Sequence, residues 1–132
     1  MARPKQTTPT AGELEILRVL WERGSCSVRD VMEELSRTRP RAYTSVMTIL
    51  SVMHDKGLVT RQPAPEGRAF IYKAKHKRER TLGAMLSQLL NKAFGGSASA
   101  LVTQMLAQNK TSKAELEEIR RTIEAHERRE GR

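Results

Sequence analysis

The chain is poor in cysteine, in aromatic residues and in acid, and it has no long apolar run. A single cysteine, Cys26, excludes an internal disulfide and a multi-thiolate metal centre, and it fits a reducing cytoplasm. Aromatic residues make up 4% and apolar residues 38% of 132 positions, so neither half of the chain can bury a large core alone. No stretch of 18 consecutive apolar residues occurs, which excludes a spanning helix and insertion into a lipid membrane. The basic opening Met1-Ala2-Arg3-Pro4-Lys5 is followed by no apolar segment, so no secretory signal is expected. Acid is the most telling shortage. Fifteen Asp and Glu face 24 Lys and Arg, leaving a formal charge of +9. A chain this cationic calls for a polyanionic partner, and nucleic acid is the commonest.

Signatures of catalysis are missing as well. His54, His76 and His126 are widely spaced, and none adjoins an acid and a nucleophile in a recognisable arrangement. No Gly-rich phosphate loop, HExxH or paired-cysteine motif is present. No enzyme activity, metal or cofactor is therefore expected. Cys26 reads as a small packed residue between two helices.

Three segments follow from the punctuation. Residues 1–9, with Pro4 and Pro9 and no periodicity, read as a basic flexible arm. Residues 10–75 read as three helices and a hairpin. Thr10 and Glu13 form a capping box that opens the first helix, whose face carries Leu14, Leu17, Leu20 and Trp21 up to Gly24. Ser27 caps a second helix through Ser36, with Val28, Val31, Met32 and Leu35 inward. After Pro40 a third helix is predicted from about Ala42 to Lys56, stopped by Gly57, with Val46, Ile49, Leu50 and Met53 on one stripe. Strand-like runs at 58–62 and 69–73 flank a Pro- and Gly-bearing turn. This order is that of a winged helix-turn-helix domain. Residues 76–132 read as a helical dimerisation domain: a long helix from Lys77 to Phe94, a break at Gly95-Gly96, a short helix, and a last one capped by Ser112. Its apolar positions Leu82, Leu86, Leu89, Leu90, Leu101, Val102, Met105, Leu116, Ile119 and Ile123 are too few for an independent core, so pairing with an identical copy is expected. The fold class is mainly α with a small β-hairpin.

The candidate DNA-reading surface is the third helix and its approach. From Leu35 to His54 there is no acidic residue, and Arg37, Arg39 and Arg41 precede the helix. A phosphate backbone repels carboxylates and attracts guanidinium groups. Tyr43, Thr44, Ser45, Met47, Thr48 and Ser51 lie away from the apolar stripe. Small hydroxyl side chains near a helix N-terminus suit base edges in a major groove. Arg39 and Arg41, with Arg61 and Arg68 on the hairpin, are the expected phosphate contacts.

These stretches resemble the penicillinase-repressor family of bacterial transcription factors. Thr10-Ala11-Gly12-Glu13-Leu14-Glu15-Ile16-Leu17 is similar to its opening motif, and Ala42-Tyr43-Thr44-Ser45-Val46-Met47-Thr48-Ile49-Leu50 to its recognition helix. Asp55-Lys56-Gly57-Leu58-Val59 and Gly67-Arg68-Ala69-Phe70-Ile71-Tyr72 resemble its wing strands, and Phe94-Gly95-Gly96-Ser97 its C-terminal hinge. The resemblance implies a homodimeric repressor bound to a dyad-symmetric, double-stranded operator, of β-lactamase or other envelope-stress genes. It implies, for the antibiotic-responsive members, release through a membrane-bound sensor metalloprotease that triggers cleavage of the dimerisation domain. Two features depart from the family. Val52 replaces a basic residue common on the recognition helix, and Gln104-Met105 occupies the place of the Asn-Phe scissile bond. The paired cysteines of the family's copper sensors are absent. A winged-helix regulator of an unrelated operon, or a protein-interaction module that does not read DNA, are the competing readings.

Overall fold

The computed structural model describes residues 8–67 and 69–131. Its elements are α1 (Ala11–Arg23), β1 (Cys26–Ser27), α2 (Val28–Leu35), α3 (Tyr43–Lys56), β2 (Val59–Pro63), β3 (Phe70–Ala74), α4 (Arg78–Ala93), α5 (Ala98–Gln108) and α6 (Lys113–Glu130). The arm expected at residues 1–9 lies outside the described residues as far as residue 7.

Local chemistry sets the helix ends. At α1 the Glu13 amide donates to Thr10 Oγ1 at 3.2 Å while the Thr10 amide donates to Glu13 Oε1 at 2.9 Å, completing the expected box. A second box, Ser27 with Asp30, starts α2. Gly57 ends α3 in the left-handed region at φ +84°. There the Leu58 amide bonds Met53 O and the Gly57 amide bonds His54 O, so two terminal carbonyls that no helical amide can reach are satisfied. A side chain at Gly57 would be strained in this conformation.

The core belongs to the first part of the chain. Ile16, Leu17 and Leu20 of α1, Val31 and Leu35 of α2, Val46, Leu50 and Met53 of α3, and Val59 and Tyr72 of the sheet are all buried together. Ile49 and Met32, expected inside, lie only partly buried at its edge. Trp21 is anchored there too, its indole Nε1 donating to His76 O at 3.0 Å.

The expected hairpin gains a third strand. β3 is central, paired antiparallel with β2 from Val59↔Ala74 to Pro63↔Phe70, and on its other edge with β1 through Cys26↔Tyr72 and Ser27↔Ile71. Cys26 is thus a strand residue, 1% exposed, packed as expected between α1 and α2 in the chain. Burial pushes its thiol pKa up; Arg23 draws it partly back, and Asp30 and Glu34 push it further up. The thiolate is the reactive species, so alkylation of native Cys26 at neutral pH should run on the order of a hundredfold slower than in denaturant. Timed iodoacetamide labelling followed by mass spectrometry checks this; equal rates would place Cys26 at the surface.

Two compact units divide inside α4, the first ending at Ser87 and the second running from Gln88 to Arg132. The expected border at 75/76 falls earlier because the helix pattern of α4 gives no sign of where its packing changes. Thr81 is buried and His76 O holds Trp21, so the start of α4 belongs with the first unit. In the second unit no residue of α5 or α6 is buried. Leu90, Leu101, Leu116 and Ile119 are partly covered, while Leu89, Val102, Met105 and Ile123 are exposed, as are Leu86 and Leu106. Leu82, near the start of α4, is partly buried.

Candidate nucleic-acid interface

α3 has two chemically distinct faces. Val46, Leu50 and Met53 recur at the spacing that keeps one side of a helix inward, and they fix the helix on the core. The opposite side is open. Tyr43, Thr44, Ser45, Met47 and Thr48 are exposed, Ser51 is partly covered, and Thr44, Ser45 and Thr48 line one shallow hollow with Ile49. Val52, the departure noted above, is exposed on this helix as well.

The N-terminus of α3 is poised for an anion. Ala42 supplies no side-chain cap, and the first turn carries no acidic residue. The first amides of a helix have no helical carbonyl to bond, and they sit at the positive end of its dipole.

The three arginines ahead of α3 do not behave alike. Arg39 is exposed and makes no ion pair among the described residues. Arg37 pairs with Glu34 of α2 at 3.1 Å. Arg41 turns back to α1, its Nη1 3.2 Å from Glu15 Oε1, with a side chain only 12% exposed. The expected phosphate contact at Arg41 is therefore engaged by a carboxylate in the free chain. Arg39, Arg41, Glu15 and Ser45 share the wall of a cavity of about 290 Å³ at the start of the helix.

On the hairpin, the Arg61 guanidinium lies 4.3 Å above the Phe70 ring, a cation–π contact that holds it along the sheet. Arg68 lies outside the described residues. At the far end of α3, Lys56 Nζ donates to Glu13 Oε1 at 2.7 Å, and Glu13 is itself buried. α3 is thus tied to α1 by an ion pair at its last residue and by another just ahead of its first.

One charged feature was read from the sequence only at Lys73, which suits a phosphate contact from the wing. Lys73, Lys75, Lys77, Arg78 and Arg80 are all exposed where β3 runs into α4, with Glu79 the single acid between them. The density of cations was the available signal. Burial lowers the pKa of His76 in this run, and Arg80 and Lys75 lower it further, so the imidazole is neutral at pH 7.

Comparison with known proteins settles the family. The penicillinase repressor profile matches residues 9–125, nearly the whole chain. The chain belongs to the penicillinase repressor family. It is a DNA-binding, winged-helix transcriptional repressor, not an enzyme. Among relatives of this repressor, the penicillinase repressor of Bacillus licheniformis is 26% identical over 117 residues, covering 89% of this chain and 90% of that one. The methicillin resistance regulatory protein MecI of Mammaliicoccus sciuri is 20% identical over 114 residues, covering 86% of this chain and 91% of its own. In fold, the repressor is similar to hsRosR-S4, with a TM-score of 0.52 at 22% identity, over 76% of this chain and 88% of that one. Among the described residues no helix of the repressor is long and apolar enough to cross a membrane.

Proposed function

We propose that the repressor acts as a homodimer on a dyad-symmetric operator, with one α3 entering the major groove of each half-site. Thr44, Ser45 and Thr48 meet base edges, Tyr43, Met47 and Ser51 flank them, and Arg39, Arg61 and Arg68 neutralise phosphates. The observation that carries this reading is the open N-terminal half of α3: exposed hydroxyls, no acid, no side-chain cap, and beside them an Arg39 with no ion pair among the described residues. Penicillinase and methicillin-resistance regulators among its relatives point to β-lactamase or other envelope-stress genes as targets. On this reading the protein acts in the cytoplasm.

The dimer half of the proposal rests on α5 and α6, which bury none of their residues within the chain. Release by a membrane-bound sensor metalloprotease belongs to the same reading. A cut at Gln104-Met105 would sever the end of α5 and all of α6 from the chain. That bond lies inside α5, and a protease needs an extended strand, so cleavage there requires the helix to unwind first.

Two substitutions test the reading face. Arg39→Ala should weaken binding to operator and random duplex alike and flatten the salt slope by about one unit. Thr48→Ala should leave binding to random duplex intact and lower the preference for operator, by a discrimination of about 1 kcal/mol or more. Fluorescence anisotropy across a salt series reads both. Operator affinity unchanged by either variant would remove α3 from the interface.

A further inference from the structure

The approach to α3 is free of acid in sequence but not in space. Two of its three arginines are met by carboxylates from neighbouring helices, Arg37 by Glu34 and Arg41 by Glu15. The second pair is unusual in its geometry. Arg41 is largely covered, yet only Nη1 reaches Glu15, while its Nε is buried with no hydrogen-bond partner. Glu15 remains 46% exposed. A pair built for stability would engage both edges of the guanidinium, as a two-pronged carboxylate contact does. Here the second edge is unspent, and the carboxylate stands in the same cavity wall as Arg39 and Ser45, beside the uncapped start of α3.

We propose that Glu15, on a helix that does not read bases, is a specificity-determining residue, because its carboxylate cancels Arg41 at the entry to α3 and so holds down binding to random DNA. The inference rests on the operator-reading role proposed above for α3. Sequence-independent affinity grows with each cation that can displace counterions from phosphate. A guanidinium already paired to a carboxylate displaces none, and that carboxylate repels the backbone. Random duplex, which does not seat α3, meets Arg41 in its cancelled state. Operator seating brings a phosphate to the start of α3, where the first amides and Arg39 help it draw Arg41 from Glu15. Glu15 thereby penalises the wrong duplex more than the right one.

The test compares the full-length chain with Glu15→Gln on operator and random duplexes over a salt series. Binding to random duplex should tighten about fivefold near physiological salt and its salt slope steepen by about 0.9, the effect of one added phosphate contact. Operator binding should tighten less, so the ratio between the two falls. Adding Arg41→Met to Glu15→Gln should reverse the gain and return random-duplex affinity to within about twofold of the native chain's. A merely structural role for Glu15 predicts the opposite sign, weaker binding in step with a lower melting temperature, and that result overturns the proposal. Unchanged random-duplex affinity in a folded Glu15→Gln protein overturns it too, as does an equal gain on both duplexes. Arg39→Ala run in parallel separates the two ideas: if it weakens binding while Glu15→Gln does nothing, α3 keeps its role and only the Glu15 inference falls.

Discussion

A Met105→Asp repressor should keep its first unit folded and lose operator binding by about a hundredfold or more at concentrations where the native chain saturates the site. Met105 lies on α5, 39% exposed, with Val102 and Leu106 of the same helix also uncovered. Neither α5 nor α6 has a buried residue, and a unit of this size, with no cysteine to cross-link it, buries too little to hold together by itself. A second copy is the economical cover for these faces. An aspartate in such an interface would be buried without a partner, which is far more costly than the loss of one thioether side chain. Once the copies separate, each half-site is held by a single α3, and the gain from tethering two contacts on one duplex disappears. Sedimentation equilibrium and anisotropy on the same sample check the two halves of the expectation together. A Met105→Asp protein that remains dimeric, or a monomer that binds operator undiminished, would count against the paired-copy reading.

Much of the first unit was legible because its signals are local. The Thr10–Glu13 box, the Val46, Leu50, Met53 stripe and the Gly57 stop each depend on residues within two turns of one another, and each stands where the pattern put it. β1 was not legible, since two residues are too few to show a period of two, and Cys26 pairs with Tyr72 far along the chain. The unit boundary was hidden for a related reason: α4 keeps its helical periodicity across Ser87, and only packing distinguishes its two ends. The acid-free window around α3 was the best clue to the proposed DNA-reading face and also its limit. It is a statement about one dimension, and Glu15 reaches Arg41 across 26 positions. No spacing rule links those two residues. Only the packing of α1 against α3 does.

Leu50→Ala should produce a larger loss of stability than alanine at any exposed position of α3, about 3 kcal/mol, and a fall in melting temperature of about 12 °C or more. Leu50 has no exposed surface and sits between Val46 and Met53 at the centre of the buried cluster. Truncation removes the transfer energy of its methyl groups and leaves a void, because α3 packs on α1, α2 and β2 together and the surroundings relax only in part. A domain of this size has only about 5–15 kcal/mol in total, so the folded fraction at 37 °C suffers directly. The consequence for DNA is distinctive. The inner and outer faces of α3 are the same helix, so operator and random-duplex binding should decline together with the folded population. Thr48→Ala, two residues back on the exposed face, should lower only the preference for operator and leave the melting curve in place. Differential scanning calorimetry beside anisotropy separates the two patterns. A Leu50→Ala protein with an unshifted melting temperature would mean that α3 does not rest on the core described here, and its role as a rigid reading element would lose its support.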